Sequence, residues 1–350
     1  MNSRTVLTVV LAWAATSTLW AQSMPASNLL VLAKRDSSLA IVDPATLKVV
    51  GRVPAGPDPH EVIVSPDGRF AYISNYGGGA YNTISVADLS KRSPLSPIDL
   101  GVLHGPHGLW FAGGKLYFTA EANKVIGRYD PSTGKVDWVL GTGQNRTHMI
   151  VVSKDLDRIF TSNVSSATIS IIEKVTRPAN PPGPPPGGPN GPPPPPMYRG
   201  VDWNQTIIGV GRGSEGFDVT PDGNELWTAN AQDGTISIID VAGKRVTQTL
   251  EANVMGANRL KFTLDGKQAF VSSLRGADLA VFDVGTRLEI KRIKLGRGAA
   301  GILMQPDGAR VYAACSPDNY VAVIDLKTLE VVGKIDGGQE PDGLAWATRH

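Results

Sequence analysis

Three of the chain's five histidines fall at equivalent places in a repeating pattern, and that coincidence is the strongest chemical signal in the sequence. Aligned on the position five residues before a recurrent turn, the column reads His60, His107, His148, Glu215, Asn258, Ala300 and Asp342. Imidazole and carboxylate are the donor types that a first-row divalent cation takes, so His60, His107, His148, Glu215 and Asp342 form a candidate metal set. The same column also reads as a polar rim without metal, in which the histidines serve turn geometry and hydrogen bonding to a neighbouring unit.

Three residues earlier a second column reads Pro57, His104, Asn145, Arg212, Met255, Arg297 and Gln339. Arg212 and Arg297 each stand between glycines, and Arg146 and Arg259 flank the first column. Guanidinium forks suit carboxylate and phosphate oxygens. His104, Arg146, Arg212, Asn258 and Arg297 are therefore candidate contacts for a small anionic ligand. A protein partner is the other candidate, and solvated loop arginines are the alternative to both. The sequence contains no nucleophile elbow, phosphate-cradling loop or His-Glu-x-x-His motif, so no catalytic residue is assigned.

The elements that must position these residues are short strands. Glu215 to Leu250 holds four runs rich in β-branched and aromatic residues, separated by Pro-Asp-Gly, Gln-Asp-Gly and Val-Ala-Gly-Lys turns. This pattern predicts a four-stranded antiparallel meander. An acid closes the third run of each unit, at Asp43, Asp88, Asp130, Glu173, Asp240, Asp283 and Asp325. The spacing is about 43 residues, with one interval about 24 longer, and such a period marks a propeller or solenoid. The acids are expected to cap the following turns. The first strand, Leu29 to Ala33, matches a second run, and the last, Gly343 to Ala347, matches a first run. An all-β, seven-bladed propeller of four-stranded antiparallel blades follows, closed by one blade that joins both ends of the chain and so removes open edges. Antiparallel connectivity puts the first column at one mouth of the central channel.

The second runs, AYISN, LYFTA, IFTSN, LWTAN, AFVSS and VYAAC, together with TISIID-like third runs and SPDG-like turns, resemble the Tyr-Val-Thr-Asn β-propeller repeat family over about residues 28 to 348. That resemblance implies the fold but not a function, since propellers host unrelated roles. The fold and mouth histidines also look like those of metal-dependent streptogramin lyases and lactonase-type propellers, where a divalent ion acts as Lewis acid and a histidine moves a proton. They bear a weaker likeness to haem d1-type and copper-cluster redox propellers. The reading preferred here is an exported binding scaffold for a small ligand, metal or protein at the channel mouth.

Residues 1 to 23 read as a signal peptide: a short positive start, an apolar run from Thr5 to Trp20, and small residues for cleavage. A periplasmic or secreted protein is expected, and the apolar run is shorter than the ~20 residues of a membrane span. The propeller occupies residues 28 to 350 as a single domain. Pro178 to Pro196 carries twelve prolines and accounts for the long interval, so it is expected to be a Pro-rich disordered loop inserted between third and fourth strands, on the face opposite the histidines. Cys315 is the only cysteine, which rules out an intramolecular disulfide, and the absence of Cys-x-x-Cys-His argues against c-type haem. A net charge of +2 gives no nucleic-acid signature, and a monomer is expected.

Overall fold

The computed structural model describes residues 27–176 and 201–348. The expected signal peptide and the segment Pro178 to Pro196 lie outside the described residues. The chain forms seven four-stranded sheets, arranged as the blades of a propeller. Every neighbouring pair of strands within a blade is antiparallel. The strands are short because turn residues punctuate the β-branched runs about every ten residues.

Blade one is the closing blade. From the channel outward it holds Pro341–Thr348, Ser27–Ala33, Ser38–Asp43 and Lys48–Pro54. Leu29 pairs with Trp346 and Val31 with Leu344, as the phase of the repeats requires. The innermost strands of blades two to seven are Pro59–Val64, Pro106–Ala112, Thr147–Val152, Ser214–Val219, Ala257–Phe262 and Ala299–Met304. Each packs beside the next, and Ala299–Met304 meets Pro341–Thr348 to shut the ring.

The second and third strands of each blade are buried on both faces, because the blades stack on one another. Trp227, Phe118, Phe270 and Tyr312 are fully or almost fully buried between blades. Outer strands alternate instead: Lys135–Gly141 exposes every second residue. The outer strand Ser93–Asp99 carries Pro94 and Pro97, which an edge strand tolerates because one side needs no ladder hydrogen bond. In blade four Thr168–Thr176 pairs with Val201–Gly209 as far as Thr176 and Val201, so the chain between them connects a third strand to a fourth.

Six of the seven acids that close third strands cap the turn that follows. Asp43, Asp88, Asp130, Asp240, Asp283 and Asp325 accept the backbone N–H of Ala45, Ser90, Ser132, Ala242, Thr286 and Lys327. The exception, Glu173, pairs with Lys244 of the next blade. Among the described residues no helix is long and apolar enough to cross a membrane.

Candidate ligand site at the channel mouth

The seven residues of the first column are the second residues of the seven innermost strands. In every one of these strands the pairing slips immediately after the first residue, so the inner strand carries one extra residue there. Such a bulge re-aims side chains at the end of a sheet. Its repetition places a ring of seven side chains at one mouth of the channel.

Serine and threonine of the second strands hold this ring in place. Thr119 Oγ1 donates to the His148 carbonyl at 2.7 Å, Ser162 Oγ to that of Glu215 at 2.8 Å, and Ser272 Oγ to that of Ala300 at 2.8 Å. Each bond runs from one blade to the mouth residue of the next. The residue after the mouth residue is glycine in four blades, and the reason is steric. A Cβ on Gly108 would lie 2.5 Å from the His148 carbonyl oxygen, and one on Gly343 2.5 Å from that of His60.

His60, His107 and His148 do come together. His107 and His148 stack with ring centroids 3.7 Å apart, and His60 meets His107 edge-on at 5.2 Å. Tyr76 stands against both His60 and His107, at 5.0 and 5.1 Å. His107 and His148 are each only 2% exposed. The Nδ1–H of His148 donates to Glu121 Oε1. The other carboxylate oxygen of Glu121 accepts the Tyr76 hydroxyl at 2.6 Å and faces Arg146 Nε at 3.4 Å. On its far side His148 Nε2 is 3.4 Å from Glu215 Oε1, within ion-pair range but outside hydrogen-bond geometry.

This arrangement separates the two stacked imidazoles electrically. Burial would lower the pKa of His148, but Glu121 and Glu215 outweigh it and raise the pKa above the usual value. Burial also acts on His107, and the neighbouring His148 and His60 push the same way. His107 is held well below the ordinary range. Burial opposes ionisation of Glu215 as well, yet His148, Arg259 and Arg146 bring its pKa down to about 2. The phenol of Tyr76 is pushed up to about 12 by burial and by Glu121.

The contacts of the candidate metal set pull its members toward other partners. His60 has both nitrogens committed: the Lys34 ammonium donates to Nε2 at 3.0 Å and Nδ1 faces the Asp58 carbonyl at 3.2 Å. Lys34 also pairs with Asp342 at 3.3 Å, so an ammonium separates these two members of the set. His148 turns Nδ1 to Glu121, outside the set. Among the described residues no group of three or more His, Cys, Asp or Glu is placed to hold a metal ion. The side chains as arranged do not fit a shared cation.

The mouth opens into a cavity of about 270 Å³ whose lining includes Lys34, His60, Arg146, Glu215, Asn258 and Asp342. Below it Arg259 reaches across the channel from blade six to Glu61 in blade two, and donates to the Asn258 carbonyl and side-chain oxygens. Arg259 lines both this cavity and a second one of about 280 Å³ farther down the channel.

Of the candidate ligand contacts, Arg146 and Asn258 line the mouth cavity, whereas His104, Arg212 and Arg297 do not. The second column proves to be a clasp. The backbone N–H groups of His104, Asn145, Arg212, Arg297 and Gln339 donate to Asn123, Ser166, Asp233, Asp318 and Asp36, respectively. Each acceptor lies in the loop between second and third strands of its blade, and Arg212 and Arg297 add side-chain ion pairs to Asp233 and Asp318. The residues missed in the sequence, Lys34, Tyr76 and Glu121, share one register: each directly follows a second strand.

No protein-family model matches the sequence, so the resemblance to the Tyr-Val-Thr-Asn repeat family has no family-model match behind it, and no curated protein matches. Solved structures do resemble the fold. A functionally unknown protein from Desulfotomaculum acetoxidans superposes with a TM-score of 0.71 at 13% identity, covering 92% of this chain and 99% of its own. A protein of Bacteroides fragilis provisionally named a 6-phosphogluconolactonase gives 0.68 at 16% identity, covering 92% and 98%. The dihydro-heme d1 dehydrogenase NirN, solved with DHE, gives 0.60 at 13% identity, covering 88% of this chain and 63% of its own. At these identities the likeness is one of fold.

Proposed function

We propose that this protein is an exported binding protein whose channel mouth takes a small molecule bearing an anionic group. The observation that carries the proposal is the composition of the mouth cavity. Blades one to six each deliver ionisable or strongly polar side chains to it, while Arg259 and Glu61 cross the channel beneath. Pockets of this kind, with a few convergent polar groups and perturbed titration, are the usual sites for small ligands. Arg146 is the natural anion contact. It commits Nε to Glu121, its side chain is 42% exposed, and the nearby Glu121 and Glu215 keep it cationic against its burial. The N-terminal apolar run supports the exported setting.

Calorimetric titration with acetate, succinate and inorganic phosphate tests this. Binding of at least one of them, weakened about tenfold or more by Arg146→Gln, is the expected result. Absence of heat with all three, or equal binding by the variant, overturns the proposal.

A further inference from the structure

The mouth cavity is lopsided in a way that narrows the ligand. From blade one to blade five the ring is ionic or aromatic, and in blades one to three its second register is too: Asp342 and Lys34, His60 and Tyr76, His107 and Glu121, His148, then Glu215. Over blades six and seven the lining becomes mixed. Leu274, Ala300 and Pro317 stand there among Asn258, Arg259, Ser316 and Glu340, and Leu274 is 47% exposed. Ala300 is the one apolar residue in the column that elsewhere holds histidine, asparagine or a carboxylate.

Two charged groups on the ionic side have only half their capacity in use. Arg146 gives Nε to Glu121 and its side chain is 42% exposed, which leaves the guanidinium open to a further acceptor. Glu215 uses Oε1 toward Asn258 Nδ2 at 3.2 Å and toward His148, and among the described residues its Oε2 is given no hydrogen bond. A fork of donors and a carboxylate thus line one cavity together with the apolar side chains of Leu274, Ala300 and Pro317.

We infer that the ligand is a small zwitterion with an apolar substituent, that is, a free α-amino acid with an aliphatic side chain. Its carboxylate meets the Arg146 fork, its ammonium meets Glu215 Oε2, and its side chain lies on Leu274, Ala300 and Pro317. Both charge-assisted contacts satisfy groups that the protein leaves open, and the aliphatic part removes apolar surface from water on both sides. The inference rests on the mouth being the ligand site, and specifies what that site selects.

The test compares four probes on the wild-type protein by calorimetry: L-leucine, 4-methyl-2-oxopentanoate, 3-methylbutylamine and glycine. They differ from leucine by loss of the ammonium, of the carboxylate, or of the side chain. Leucine is expected to bind at least tenfold more tightly than each of the other three. Equal binding of the oxo acid overturns the zwitterion while leaving the anion site standing. Equal binding of the amine or of glycine overturns the assignment of the carboxylate or of the apolar wall. No binding by any probe overturns this inference, whereas the anion site stands or falls by acetate, succinate and phosphate. Two variants add an independent check: Glu215→Gln should reduce leucine affinity to that of the oxo acid, and Ala300→Leu should reduce it at least tenfold by filling the apolar end. Unchanged leucine binding in a folded Ala300→Leu protein also overturns the inference. The probe series on wild type decides the matter even if Glu215→Gln fails to fold.

Discussion

Arg259 and Glu61 stand 198 residues apart in the chain and form an ion pair across the central channel, one from blade six and the other from blade two. Both are largely buried, so each is the other's principal compensation for lost water. Removing one partner leaves an isolated charge in the channel, at a cost of about 3–5 kcal/mol. Arg259→Met and Glu61→Leu should each lower the thermal midpoint clearly. The double variant should recover much of the loss, because no unpaired charge remains. A double variant as unstable as the sum of the singles would show that the pair is not coupled.

The stacked histidines predict opposite pH limbs. His148 has its pKa raised on folding, so its stabilising contribution is complete below about pH 6.5, the unfolded value, and is lost as pH rises through the folded value. His107 has its pKa lowered, so the folded state loses stability as pH falls below about 6.5, where the unfolded imidazole takes a proton that the buried one refuses. Thermal midpoints measured from pH 5 to 9 should show His148→Gln with a flattened alkaline limb and His107→Gln with a flattened acid limb. Identical profiles for the two variants would refute the assignment of charge.

The glycines beside the mouth residues carry a simple prediction. Gly108→Ala and Gly343→Ala each force a Cβ against the carbonyl oxygen of the adjoining blade, which cannot move without opening the ring. Overpacking of this kind costs about 1–3 kcal/mol, and more where backbone must shift. Gly209→Ala, where a Cβ meets nothing within 4 Å, should stay within about 0.5 kcal/mol of wild type. Urea unfolding of the three variants measures the contrast, and equal stabilities would contradict the packing described here.

Divalent metal is the remaining test of the histidine cluster. With the Lys34 ammonium on His60 and Glu121 on His148, zinc, manganese and copper should bind weakly, and His107→Ala should bind them as weakly as wild type. Calorimetry showing tight uptake that His107→Ala abolishes would restore a metal centre at the mouth.

The repeats made most of this architecture legible. Four short β-branched and aromatic runs inside a unit of about 43 residues leave few alternatives to a propeller, and the mismatched phase of the first and last runs located the closing blade. The first column could be read because bulges preserve its register from blade to blade. The second column misled for a physical reason: five of its seven residues contribute backbone N–H groups to the loop clasp, a role in which side-chain type is nearly free. Arg212 and Arg297 therefore looked like ligand contacts while pairing with Asp233 and Asp318. Lys34, Tyr76 and Glu121 were available in the position after each second run. That column mixes lysine, tyrosine, glutamate, valine, alanine, leucine and serine, so no chemical type repeats to draw attention to it. The Arg259 and Glu61 pair was beyond sequence reasoning, since it depends on which blades oppose one another across the channel.

The shared closing blade also sets a timetable. Ser27–Ala33 is the first strand of the propeller to be made, and its inner partner Pro341–Thr348 is the last of the twenty-eight described strands. Until that partner emerges, the early strand keeps an open edge and the blades already made cannot complete a circle. Folding dominated by such distant pairing is slow, and a partly synthesised chain exposes apolar surface that invites misassembly. The ring therefore cannot close before Pro341–Thr348 has been made, and until then the blades already built remain an open arc.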